Sequence, residues 1–156
     1  MTGAPPPLRI RPARPADLPR LLEIRHAAFS AQAPAAYTAE QVGTLLADVD
    51  PAELRRMIDA GQLFAATAGD RVVGLAGWLG TALRHVYVDP ALARRGVGTA
   101  LLAHVEADLR ARTGATAVDA GVALHAADFY LANGYEVVER ATAWDGSAYL
   151  RMTKRH

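Results

Sequence analysis

Six consecutive residues, Arg94-Arg95-Gly96-Val97-Gly98-Thr99, carry the densest chemical signal in the chain. Gly96 and Gly98 let the backbone turn tightly with no side chain in the way. Successive N–H groups can then converge on an anion at the free N-terminus of the helix that follows. Arg94 and Arg95 add positive charge at the rim, so the spacing predicts a phosphate grip. Two better-known phosphate loops do not fit. A P-loop needs Lys then Ser or Thr after its last glycine, and Thr99-Ala100 stands there instead. A dinucleotide fingerprint needs a third glycine where this chain has Leu101, a core residue of the helix. Asp119 lies roughly 20 residues on, where a ribose-binding acid would fall. A nicotinamide-dependent oxidoreductase therefore stays open as one alternative.

The chain has no cysteine, and its serines are Ser30 and Ser147, neither within Gly-x-Ser-x-Gly. Covalent acyl-enzyme chemistry has no obvious carrier. Direct transfer between two bound reactants is favoured, with catalysis coming from positioning, proton removal and stabilisation of developing negative charge. His125 and, less strongly, His85 are candidates for the base, and Asp119 is a third titratable group nearby in sequence. Each also reads as an ordinary structural residue, and water relayed from backbone carbonyls could do the work instead. His26, His104 and His156 show no metal-ligand spacing, and without cysteine no thiolate zinc site or disulfide can form.

The elements that must position these groups are marked by hydrophobic period and by caps. Leu8 to Arg11 reads as a short strand, and Pro15 with Asp17 opens a helix whose Leu18, Leu21, Leu22, Arg25 and Phe29 face inward. Ser30 to Tyr37 is an Ala/Pro-rich linker. Thr38 and Gln41 form a capping box for a second helix through Val42, Leu45 and Leu46; Asp50, Pro51 and Glu53 open a third that ends at Gly61. Leu63 to Ala68 and Arg71 to Leu79 flank a Gly69-Asp70 hairpin, and Leu83 to Val88 follows as a strand. After the glycine loop, Leu101, Leu102, Val105 and Leu109 stripe one side of a helix closed by Gly114. Glu106 with Arg110 and Asp108 with Arg112 are expected as i,i+4 pairs on its wet side. Ala115 to Leu124 reads as a buried strand and Ala126 to Ala132 as a short helix stopped at Asn133-Gly134. Tyr135 to Ala143 with Ala148 to Met152 form a last hairpin turning at Asp145-Gly146.

The run VYVDPALARRGVG from Val86, followed by ADFYLANGYEV from Ala127, resembles the two signatures of the GCN5-related N-acetyltransferases, in the same order and spacing. The resemblance extends from about Leu8 to Lys154. It implies a single-domain α/β fold, a mixed and mostly antiparallel sheet with helices on both faces. It implies acetyl-CoA as cosubstrate, its pyrophosphate on the backbone of Arg94, Arg95, Gly96, Val97, Gly98 and Thr99, its pantetheine arm along Val86, Tyr87 and Val88. The family's Arg or Gln three residues before the first glycine is Ala93 here, with Arg94 as a stand-in. Tyr130 matches the tyrosine that serves relatives as general acid toward the coenzyme sulfur, a task suited to a phenol proton. Where many relatives carry Asn or Ser, and then often Asn, this chain has Ala123 and His125. The acceptor, a small-molecule or peptide amine, is expected at Phe29, Tyr37 and Trp144, aromatics of the least regular segments. An acyl-CoA-binding regulatory module without turnover is a second alternative.

At 156 residues the chain is expected to be one domain, residues 8–156, after a disordered lead-in of residues 1–7. Its formal net charge of +1 and its scattered arginines argue against nucleic acid as a partner. No apolar run approaches a membrane span, and the opening MTGAPPPLRIR lacks a signal core, which makes the cytoplasm the expected location. Monomer and homodimer are equally compatible with the sequence.

Overall fold

The computed structural model describes residues 7–32, 37–41, 43 and 50–156. Its strands are β1 (Leu8–Pro12), β2 (Leu63–Ala68), β3 (Arg71–Leu79), β4 (Ala82–Val88), β5 (Ala117–Ala123), β6 (Glu136–Thr142) and β7 (Ala148–Arg155). Its helices are α1 (Leu18–Gln32), α2 (Pro51–Asp59), α3 (Val97–Thr113) and α4 (Ala127–Ala132). The strands form one sheet in the order β1-β2-β3-β4-β5-β7-β6. Every neighbouring pair is antiparallel except β4 with β5, which α3 connects by a crossover. This is the mixed α/β sheet the sequence leads one to expect.

Local chemistry starts the helices that precede β2. Asp17 accepts the Arg14 backbone N–H at 2.7 Å and both arms of the Arg11 guanidinium at 2.7 and 3.0 Å. That guanidinium is the first cause holding the Asp17 carboxyl below its ordinary pKa. Along α1, Leu21, Ile24 and Ala28 recur at helical spacing and are buried. α1 runs on through Ser30 to Gln32, residues the sequence reading gave to a linker. The capping box is present, with Thr38 N–H donating to Gln41 Oε1 at 3.1 Å and Gln41 N–H to Thr38 Oγ1 at 3.2 Å. Val42, Leu45 and Leu46, which the sequence predicts to follow it as a helix, lie outside the described residues. Asp50 caps α2 by accepting the Ala52 N–H at 2.9 Å.

Two apolar clusters sandwich the first half of the sheet. Leu21, Ile24, Leu54 and Met57 of α1 and α2 pack on Leu63, Ala65 and Leu75. On the other face Leu101, Leu102, Val105 and Leu109 of α3 pack on Phe64, Ala66, Val73 and Trp78. Truncating one such leucine to alanine costs about 2–5 kcal/mol, so these faces anchor the sheet on which any site must stand. Among the described residues no helix is long and apolar enough to cross a membrane.

Two expectations change. Glu106 is not on the wet side of α3 with Arg110; it is 6% exposed, accepts the Tyr135 phenol at 2.5 Å and faces Lys154 Nζ at 3.0 Å. The i,i+4 rule sees only neighbours on the same helix, and here a lysine from β7 wins. The other pair, Asp108 with Arg112, is present at 3.4 Å. β5 is buried on one face only, at Val118, Ala120 and Val122, while Asp119 and Gly121 are exposed.

Candidate active site

β4 and β5 pair at just two positions, Ala82 with Asp119 and Leu83 with Ala120. Beyond them the strands part, leaving Arg84–Val88 on one arm and Gly121–Ala123 on the other. The cause lies in β4. Leu75 pairs with Tyr87 but Gly77 with Arg84, so β4 spends three steps where β3 spends two. The extra residue is a bulge centred on His85, whose backbone has φ +58°. A bulge sharpens twist and bends its strand, and here it turns β4 away from β5. The edge of β4 facing the gap therefore has backbone groups without a strand partner among the described residues, the condition under which an extended ligand can add as a strand.

The bulge also resets which side chains face where. Arg84 and His85, neighbours in sequence, both reach Glu53 at the start of α2, through Arg84 Nη2 to Oε1 at 2.8 Å and His85 Nε2 to Oε2 at 3.2 Å. Val86 and Val88 then pack toward α3, and Tyr87 toward α1, with the Arg25 guanidinium 5.6 Å from its ring centre. Glu53 entered the sequence reading only as a helix-start acid. Its contact with β4 spans 32 positions and leaves no local signal.

At the open end of β4 the chain passes Asp89 and enters the glycine loop. Asp89 caps Ala91 N–H at 3.0 Å and takes Arg20 of α1 at 2.7 Å; these contacts hold its carboxyl below its usual pKa, the Ala91 bond foremost. Arg94 and Gly96 are left-handed, φ +63° and +80°. An arginine there is an outlier, the sort of strain that collects at functional loops. The first helical bond of α3 runs from Ala100 N–H to the Gly96 carbonyl at 3.0 Å, so the N–H groups of Val97, Gly98 and Thr99 precede it and point out of the helix end. Arg94, Arg95, Gly96 and Thr99 are exposed. Val97 differs from them: its side chain is buried in the α3 core, so only its backbone can serve an anion. Gly98 has a second duty, since a Cβ there would lie 2.9 Å from Phe129 Cζ.

Tyr130 of α4 is 8% exposed, its ring at right angles to those of Phe129 and Tyr135 at 5.3 and 5.4 Å. Its hydroxyl has no hydrogen-bond partner among the described residues. Burial, with the nearby Tyr87 phenol second, pushes its pKa well above the ordinary tyrosine value, which keeps the proton in place at neutral pH. Tyr135, fixed by Glu106, is the wall behind it, a role the sequence did not signal.

His125 stands in the turn between β5 and α4, its ring 5.5 Å from Phe29 and 6.1 Å from Tyr37, edge to face with both. Its Nδ1 is buried without a partner among the described residues, and burial alone lowers its pKa. Tyr37 bridges the far arm, accepting Leu124 N–H at 3.1 Å and donating to the Ala148 carbonyl at 2.8 Å. Phe29, Tyr37 and His125 thus meet at the mouth of the gap. Trp144 does not join them; it is 76% exposed in the β6–β7 turn. Asp119 is held at the paired end of β5 by the hydroxyls of Thr81 and Thr153, at 2.9 and 3.1 Å.

A family profile described as an acetyltransferase (GNAT) domain matches residues 33–156. A GCN5-related N-acetyltransferase of Rhodopseudomonas palustris superposes with a TM-score of 0.85 at 29% identity, covering 100% of this chain and 99% of its own. The PaiA N-acetyltransferase of Thermoplasma acidophilum, solved with coenzyme A, gives 0.76 at 17% identity over 96% and 99% of the two chains. The ribosomal-protein-S18-alanine N-acetyltransferase of Escherichia coli gives 0.65 at 19% over 96% and 94%. No curated protein sequence matches the chain significantly. The profile spans most of the length and includes both the parted strands and the glycine loop, and the chain belongs to the GCN5-related family of N-acetyltransferases.

Proposed function

We propose that this enzyme moves an acetyl group from acetyl-CoA directly to a primary amine while both are bound. One observation carries the reading: among the described residues the β4 edge beyond Leu83 has no strand partner, and it leads from the fork with β5 to Val88, beside Gly98 at the N-terminus of α3. The N–H groups of Val97, Gly98 and Thr99, with Arg94 and Arg95 beside them, suit a pyrophosphate. The β4 backbone of Val86, Tyr87 and Val88 suits the amides of the pantetheine arm. The thioester then falls inside the gap, where Tyr130 can protonate the departing thiolate and Phe29 and Tyr37 border the acceptor's entry. Solved relatives that act on amines and hold coenzyme A support this assignment.

The test is release of coenzyme A thiol from acetyl-CoA across small-molecule, peptide N-terminal and lysine amines. Turnover with at least one amine is expected, and Tyr130→Phe should lower kcat on the order of 10²-fold with little change in acetyl-CoA affinity. Coenzyme binding without thiol release for any amine would make the chain a binding module instead.

A further inference from the structure

We infer that His85, held by Glu53, is the base that takes the proton from the incoming ammonium. The inference rests on the acetyltransfer reading above and assigns a residue that reading leaves open.

Position comes first. His85 is two residues past Leu83, the last β4 residue paired with β5, and so stands at the closed end of the gap. An arm entering from the glycine loop meets Val88 first and His85 last. His125 lies two residues beyond the end of β5, at the open end, among the Phe29 and Tyr37 rings. The reacting carbon is carried at the far end of the arm from the pyrophosphate, which places it at His85.

The backbone makes the same point. A left-handed histidine inside a strand is strained and persists only where the surroundings enforce it. What it gains is direction: the bulge sends the His85 ring to the α2 side, where Glu53 receives it. An ionised carboxylate only accepts hydrogen bonds, so the 3.2 Å contact places the imidazole proton on Nε2 and the lone pair on Nδ1. Nδ1 has no hydrogen-bond partner among the described residues. The groups facing the ring are Glu53 from α2, Arg84 from β4 and Arg25 from α1. Burial lowers the His85 pKa most, Glu53 opposes it, and both arginines add to the lowering. The ring is therefore neutral near pH 7, and Glu53 is placed to stabilise the imidazolium once it forms.

The balance is simple. An R–NH3⁺ acceptor gives one proton to Nδ1, and its nitrogen forms a bond to the thioester carbon. The C–S bond breaks, the thiolate takes the Tyr130 proton, and the phenolate recovers a proton from the acylated nitrogen. His85 then returns its proton to water, so acetyl-CoA and ammonium become amide, thiol and one released proton.

His85→Asn is the informative variant because asparagine tolerates a left-handed backbone. With the best amine of the panel, kcat/KM should fall on the order of 10²-fold, and the acidic limb of the pH–rate profile should vanish. Acetyl-CoA affinity by calorimetry should stay within about twofold. Glu53→Gln removes the charge that raises the His85 pKa, so the limb should move to lower pH and the plateau should drop severalfold. His125→Ala should keep the limb. An NMR titration of the His85 Cε1–H gives a readout independent of the acceptor, and its midpoint should also fall in Glu53→Gln. A His85→Asn enzyme with wild-type rate and limb, or a His85 resonance indifferent to Glu53, overturns the inference while leaving acetyltransfer intact. A wild type that binds coenzyme A and releases no thiol overturns the acetyltransfer reading, and the base with it.

Discussion

β3 and β5 are both strands of one sheet, yet they meet their surroundings in opposite ways. β3 is buried from Val72 to Trp78 on both faces, whereas β5 alternates, with Val118, Ala120 and Val122 inside and Asp119 and Gly121 outside. The first arm of the sheet is clamped between α1 and α2 on one side and α3 on the other. The second arm, β5-β7-β6, packs on α3 through one face. The gap that holds the proposed chemistry lies where these two regimes meet. The doubly clamped β3 gives its neighbour β4 a fixed partner, against which a bulge with a left-handed histidine can be held. A strand clamped once leaves a face free for an acceptor to approach.

The same substitution on each arm is the sharpest way to break this contrast. Gly77 of β3 has the Gln62 carbonyl oxygen and the Met57 methyl both 2.6 Å from the place a Cβ would take. Because one of these is backbone, Gly77→Ala is expected to cost about 3 kcal/mol or more, read from the urea midpoint. Next in size is Glu106→Ala, which strands Lys154 and the Tyr135 phenol beneath the second arm. About 2–3 kcal/mol should be lost, tempered because Lys154 keeps some contact with water. Tyr37→Phe removes two hydrogen bonds tying the segment after α1 to Leu124 and Ala148, at a cost of about 1–2 kcal/mol. Its effect on hydrogen exchange should concentrate at the start of α4 and the start of β7. Smallest is Gly121→Ala, whose Cβ would meet only Tyr149 ring atoms at 3.7 and 3.8 Å; stability should change by less than about 0.5 kcal/mol. Equal costs at Gly77 and Gly121 would erase the distinction between the arms.

Much of this architecture is legible in the amino-acid order because it is written in local chemistry. The Thr38–Gln41 box, the Asp50 cap, the Gly69-Asp70 turn and the glycine loop each act over four or so residues, and each is where it was expected. What was not legible depends on register. Glycine advertises a left-handed backbone; histidine does not, and the need for one at His85 exists only once β3 and β4 are aligned. The wet face of α3 could not be told from its buried polar site at Glu106 without Lys154, 48 positions away. Phe29 and Tyr37 are expected in irregular segments, but Phe29 stands within α1, and the meeting of both with His125 spans about 90 positions and leaves no local signal. The same reasoning chose Trp144, which the structure leaves in water, since a turn tip and a site wall look alike in sequence.

Gly98 couples two parts that an engineer would wish to alter separately. Its backbone belongs to the anion-facing end of α3, and its missing side chain makes room for Phe129, the residue next to Tyr130. A replacement there would press on Phe129 and so disturb the proposed coenzyme anchor and the helix of the proposed proton donor at once. Libraries aimed at accepting a different acyl carrier should therefore hold this position fixed and explore Arg95 and Thr99, whose side chains are exposed.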